Sequence, residues 1–403
     1  MDKVVTKLKN NIDFAYKRNR NTPRCALYFD MSLTDFDIKA GVYSLMTRLF
    51  MQGTKNFTAQ QLSEELDKYA IEFTAELKLD YIKLKIVCLN EDFEKAVEIF
   101  TDIVKNTTFE EFDKEKAKLE GEIEAELDSP RAKVIDSYYK NIYEGHRYGF
   151  TNTVILENLK NITKKDVVNA YKDILERSKK VLVLVGDIEY NRAFSLLDNN
   201  LGDVLPSREL FTQQKPILST LKNMEIIQEN LNQTHILKGW LVETLDSKDY
   251  PALSLLNIIL GASGLSSRLF LELRDKKGLA YVVRSSYDMA RLTANFSIYI
   301  ATEPKNIEVS LKGFEEEIEK IKTIPISVDE LENAKNNLFG KWAFISETNS
   351  QLANWLAHYA IQGLGFDFRE KAIEQIKAVT VQDIQACANK YFNDKFVLSV
   401  LKP

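Results

Sequence analysis

The sequence predicts an α+β protein of two homologous domains, each a mainly antiparallel β-sheet with helices packed on it. Three observations carry this expectation. The segment LKNITKKDVVNAYKDIL (159–175) runs into the apolar strand KVLVLVGDI, and IKAVTVQDIQACANKYF (376–392) runs into FVLSVL. Thr163 and Asp166 match Thr380 and Asp383 at an offset of 217 residues, and each pair has the spacing of a capping box. The same offset relates EKAKL (115–119) to ENAKN (332–336), so two separate anchors mark one duplication of about 200 residues per copy.

The elements follow in order. The N-terminal MDKVVTKLKNNIDFAY has no apolar signal core and opens as a strand. In AGVYSLMTRLFMQGT (40–54), Val42, Leu45, Met46, Leu49 and Phe50 recur at helical spacing and define a buried face. Ser44, Thr47 and Arg48 then share another face, at i, i+3 and i+4. A capped helix, TAQQLSEELDKYA, leads into strands FTAELKL and YIKLKIVCL. In the second copy, strands MEIIQEN and THILKGWLV precede helices ALSLLNIIL and SRLFLELRDKK, then strands AYVVRSSYDM and LTANFSIYIAT. Short links between consecutive strands predict antiparallel pairing. The proline-bearing stretch LGDVLPSRELFTQQKPILSTLK reads as the connection, giving domains 1–205 and 224–403 with a linker at 206–223.

Composition narrows the function classes. A chain of 403 residues with 45% hydrophobic and 28% charged residues has ample core for two domains. A net charge of -5 argues against nucleic acid or an anionic membrane as the main partner. The most apolar run, YPALSLLNIILGA, is too short to span a bilayer. Cys25, Cys88 and Cys387 are scattered without CxxC spacing and read as reduced thiols, which with the missing signal core predicts a cytoplasmic protein.

The helix at 40–54 resembles the signature helix of the pitrilysin/insulinase family of zinc metallopeptidases, HxxEH followed by an LFxGT-like ending. Leu49-Phe50-Met51-Gln52-Gly53-Thr54 keeps that ending. GLSSRLFLELRDKKGLAY (264–281) resembles the family's second-domain motif, SRLFxxLRxxxGLxY. The resemblance extends over almost the whole chain and implies two domains forming half of a clamshell. Aligned on LFMQGT, the first family histidine falls on Ser44, the catalytic glutamate on Thr47 and the second histidine on Arg48, while the distal glutamate ligand falls on Glu122. One carboxylate beside a permanent cation cannot supply the three ligands of a catalytic zinc, and Thr47 cannot act as the base that activates a zinc-bound water. The expectation is therefore no metal in this chain. Read from the residues alone, Ser44, Thr47 and Arg48 are an ordinary polar stripe, and Glu122 is one of many acids on its helix.

In the second motif, Arg274 lies in the last turn of a helix that Gly278 ends, and Tyr281 opens the next strand. Spacing alone makes Arg274 a helix-dipole cation alongside Lys276 and Lys277. The resemblance assigns Arg274 and Tyr281 to the family's pair of donors to the substrate carbonyl. It thus implies a non-catalytic subunit, active in trans with a zinc-bearing homologous subunit that keeps HxxEH, on peptide substrates. Two other readings stay open: a non-proteolytic scaffold, and a peptide-binding homodimer that captures extended chains along FTAELKLDYIKLKI.

Overall fold

The computed structural model describes residues 3–34, 38–208 and 214–403; residues 209–213 of the expected linker lie outside them. The first sheet comprises β1 (Val4–Lys7), β2 (Asp13–Arg18), β3 (Arg24–Ser32), β4 (Glu72–Leu77), β5 (Tyr81–Leu89) and β6 (Lys180–Gly186). Its order is β1-β2-β6-β3-β5-β4. The second comprises β7 (Lys222–Ile227), β8 (Thr234–Val242), β9 (Ala280–Met289), β10 (Ala294–Thr302) and β11 (Val397–Lys402), in the order β7-β11-β8-β10-β9. Without β1 the two orders superimpose strand for strand, so the repeat read from the sequence is a repeat of topology. Each sheet is antiparallel but for one pair, β2 with β6 and β7 with β11. Both parallel partners return after a long helical excursion, as parallel pairing requires.

The repeated anchors carry matching local chemistry. Thr163 and Thr380 cap the helices Lys164–Arg177 and Val381–Tyr391, each as one half of a reciprocal capping box with Asp166 or Asp383. Lys118 donates to Glu115 at 2.6 Å, and its counterpart Lys335 donates to Glu332 at 2.9 Å. No helix of the described residues is long and apolar enough to cross a membrane.

The compact units are not continuous halves of the sequence. One contains Met1–Glu122, Ile155–Gln213 and Ala343–Phe368; the other contains Ile123–Val154, Gln214–Trp342 and Arg369–Pro403. Each sheet is therefore covered on one face by a helix from the opposite half. On the first, Ala353, Leu356, Ala357 and Ala360 of helix Asn349–Ile361 pack against Ala26, Val181 and Val183. On the second, Val134, Tyr138 and Ile142 of helix Pro130–Ile142 join Leu237, Val397 and Leu401 in one core. These are equivalent helices of the two copies, each following the helix that bears EKAKL or ENAKN. A division at 205 and 224 does not contain this exchange, because both sheets offer similar apolar faces and nothing local says which helix covers which.

Several charged side chains are buried in the first unit, Asp30 among them. Asp30 on β3 is fully buried opposite Lys83 on β5, and neither carboxylate oxygen accepts a hydrogen bond among the described residues. The Lys83 ammonium donates instead to Asn354. Burial pushes the Asp30 carboxyl up to about 7, against the opposing pull of Lys83. A folded pKa above the unfolded value of about 3.9 means the folded chain binds the extra proton between those limits, so this group's contribution to stability is lost as pH rises through them. The unfolding free energy of the wild type relative to Asp30→Asn should fall steadily from about pH 4 to pH 7 and level off above. Denaturant titrations across that range check this; a constant difference would contradict it.

Candidate functional site

The helix Val42–Leu49 is positioned from both ends. It starts after Gly41, whose φ of 100° favours glycine and whose missing side chain leaves room for Ile155 and Ile162. Val42, Tyr43, Leu45, Met46 and Leu49 are buried. The LFMQGT ending is a turn through Gly53, with φ 115°, pinned by Asp102. The Thr54 hydroxyl donates to Asp102 at 2.5 Å and accepts from the Phe57 amide at 3.1 Å, while Asn106 donates to the other Asp102 oxygen at 2.7 Å. The family-like ending is thus an anchor that fixes where residues 44–48 point.

On the polar face, the Thr47 hydroxyl turns back to the Ser44 carbonyl, at 3.0 Å. Arg48 grips Glu122 with both prongs, Nη1 to Oε2 at 2.9 Å and Nη2 to Oε1 at 2.7 Å, while its Nε reaches Glu115 at 3.3 Å. Glu115 is 5% exposed and also holds Lys118, so Lys118, Glu115, Arg48 and Glu122 form a chain of alternating charge. The hydrogen bonds from Arg48 hold the Glu122 carboxyl below the ordinary range, and Glu122 in turn raises Arg48. The structure brings Arg48 and Glu122 together as the alignment expects and adds Glu115, another of the acids on that helix. Its signal was spacing: residues 115 and 122 are seven apart, two turns along one helix face.

This arrangement does not fit zinc. A tetrahedral site needs about three N, S or O ligands and an open position, yet both carboxylates at hand, Glu115 and Glu122, are already engaged by the Arg48 guanidinium. The cation that balances Glu115 and Glu122 is Arg48 itself, and Thr47 spends its hydroxyl on its own helix. Among the described residues no group of three His, Cys, Asp or Glu side chains is arranged to hold a metal. Two of the histidines serve elsewhere, His235 against the Tyr299 hydroxyl at 2.8 Å and His358 against that of Tyr81 at 2.9 Å. Elemental analysis of the purified chain should find far less than one zinc per molecule, and a chelator should leave its melting temperature unchanged. One tightly held zinc per chain would overturn this account.

In the second unit, Arg268 at the start of the SRLF motif makes a two-pronged pair with Glu330, both contacts at 2.7 Å, which fixes the motif on its neighbour helix. The following segment Phe270–Lys276 winds as a π-helix rather than the expected α-helix, with the Lys277 amide reaching back to the Glu272 carbonyl at 3.2 Å. Gly278, with φ 61°, then ends it, and the Leu279 amide bonds the Leu273 carbonyl at 2.9 Å. Arg274 stacks between two rings, 4.7 Å from the Phe270 centroid and 4.6 Å from that of Tyr281. Lys276 and Lys277 pair with Glu272 and Glu316, whereas Arg274 has no ion pair among the described residues. Tyr281 is 76% exposed. The ring contacts hold Arg274 without consuming its N–H donors.

A duplicated sheet-and-helix fold with the LFMQGT anchor on one copy and SRLF…LR…GLAY on the other defines a peptidase-like class. Residues 14–152 match the family model described as insulinase (peptidase family M16), and residues 161–338 match that described as peptidase M16 inactive domain. The chain belongs to the M16 family as a non-catalytic member, Arg48 standing at the position the alignment gives the second histidine and paired with Glu115 and Glu122. It is 24% identical over 364 residues to the non-peptidase homolog YmxG of Helicobacter pylori, covering 88% of this chain and 82% of that one. It is equally 24% identical over 379 residues to the zinc protease PqqE of the same organism, covering 91% and 84%. Its fold matches the crystal structure of a peptidase M16 inactive domain from Pseudomonas fluorescens with a TM-score of 0.90 at 22% identity, over 100% of this chain and 98% of that one.

Proposed function

We propose that this chain is the non-catalytic subunit of a heterodimeric zinc endopeptidase, contributing Arg274 and Tyr281 in trans to substrate held by a zinc-bearing M16 partner. The observation that carries the reading is the Arg274–Tyr281 stack, a pair of donors held by ring contacts whose side chains have no ion pair or hydrogen bond among the described residues. A scaffold has no use for an exposed tyrosine beside an unpaired, oriented arginine. Donors so placed stabilise negative charge developing on a peptide carbonyl oxygen. That Helicobacter pylori holds both a zinc protease and a non-peptidase homolog resembling this chain to the same degree agrees with division of labour between two related chains. The purified chain, mixed with an HxxEH-bearing relative from its own genome, should form a complex and raise that relative's hydrolysis of unstructured peptides. Absence of any complex overturns the reading. A complex whose activity ignores Arg274 and Tyr281 supports the non-proteolytic scaffold instead, which the name of the YmxG relative favours.

A further inference from the structure

Cys25 and Cys88 are 63 residues apart in sequence, yet the register of β3 and β5 sets them directly opposite each other, with their sulfurs 3.3 Å apart. Residues so opposed in antiparallel strands have Cα separations of about 4.5–5.5 Å, inside the range a disulfide spans. Bonding distance is about 2.05 Å, so the sulfurs need to close by little more than an ångström. The wall beside them is bare: a side chain at Gly186 on β6 would begin 2.3 Å from the Cys25 Cβ. The pair also lies one residue from the end of the ladder, where Arg24 faces Leu89, so opening of the strand end uncovers it.

We propose that Cys25 and Cys88 form an oxidation site at which a hydroperoxide converts two thiols into a cross-strand disulfide. The hydrogen bond to Cys25, and then burial, push the Cys88 thiol up. One of the two sulfurs, as its thiolate, attacks hydrogen peroxide; the O–O bond breaks, that cysteine becomes a sulfenic acid and, with the released proton, one water leaves. The other sulfur then attacks it, the S–O bond breaks, the S–S bond forms and a second water leaves. Two thiols and one peroxide give one disulfide and two waters, the sulfurs losing the two electrons that the peroxide gains. The bond staples both ends of the segment that carries the Arg48 helix and the edge strand β4, so oxidation holds this segment against unfolding. Cys387 lies in the other unit and has no thiol partner among the described residues.

The full chain, treated with hydrogen peroxide, denatured and alkylated, should lose two of its three alkylatable thiols and the mass of two hydrogens. Peptide mapping should link residues 25 and 88, and dithiothreitol should reverse both changes. The oxidised chain should melt several degrees higher, as a long closed loop implies. Cys25→Ser and Cys88→Ser should each form no dithiothreitol-reversible intramolecular link and show no loss of two hydrogens under the same treatment, the sulfur left at the pair going at most to its oxyacids. Three intact thiols in the wild type, or oxidation only to sulfinic acid or intermolecular dimers, would overturn the proposal, and the wild-type mapping decides even if neither variant folds.

Discussion

Tyr281→Phe, assayed in complex with a zinc-bearing partner, is expected to lower turnover about a hundredfold while leaving the complex intact. The substitution removes one hydroxyl and keeps the ring, so the stack with Arg274 at 4.6 Å persists. Tyr281 is largely exposed and is the second residue of β9, so little of the fold depends on it. A donor aimed at a carbonyl oxygen gains strength as that oxygen becomes anionic, so its loss falls on kcat more than on binding. One such donor is worth roughly 3 kcal/mol of barrier stabilisation, which sets the hundredfold figure. Arg274→Ala should cost at least as much, since it removes a full charge as well as hydrogen-bond donors, and it also frees the Phe270 and Tyr281 rings. Turnover compared at equal complex concentration is the decisive measurement. Full activity from both variants would make the stacked pair a relic of ancestry.

The repeat is legible in the sequence because capping boxes and strand alternation are local signals, and the two Thr–Asp pairs sit in identical caps. Arg48 beside Glu122 is legible too, since the ending LFMQGT is a rigid turn whose anchoring transfers with the motif. Other features were hidden because they depend on which segments meet. Asp102, which holds that turn, is one of three acidic residues in its helix, Phe93–Asn106, and nothing in the spacing marks it. The thiol pair at 25 and 88 needs the register of β3 on β5, which a list of cysteine spacings cannot supply. The same is true of the exchange of helices, since Asn349–Ile361 and Pro130–Ile142 both present small or aromatic faces that suit either sheet. Arg274 was legible as a cation at a helix end; that it lacks a carboxylate while Lys276 and Lys277 have theirs is a fact of packing.

The exchange itself is open to a severe test at Gly239, where alanine is expected to cost the second unit about 3 kcal/mol or more. Gly239 lies in β8 between β10 and β11, facing Ser297 on one side and Val397 on the other. A Cβ there would sit 2.0 Å from the Tyr138 hydroxyl, 2.7 Å from the Phe296 carbonyl oxygen and 2.9 Å from the Ser297 Cβ. The carbonyl is backbone of a central strand and cannot yield. Tyr138 is fully buried on helix Pro130–Ile142, edge-on to Tyr139 at 5.4 Å, with its hydroxyl donating to Asn295, which itself donates to Tyr143 at 3.1 Å. Expelling that hydroxyl therefore lifts the helix from its sheet and strands buried polar groups, each costly by itself. Tyr138→Phe supplies the control: it removes the atom nearest the new methyl at a cost of about 1 kcal/mol for the lost hydrogen bond. In a double-mutant cycle the pair should then be less destabilising than the sum of its parts, by an interaction term of about 1 kcal/mol or more. Denaturant unfolding of the four proteins gives the answer. A Gly239→Ala loss well under 1 kcal/mol, or strict additivity with Tyr138→Phe, would mean that helix Pro130–Ile142 does not rest on β8, and the exchange between the two copies would fall with it.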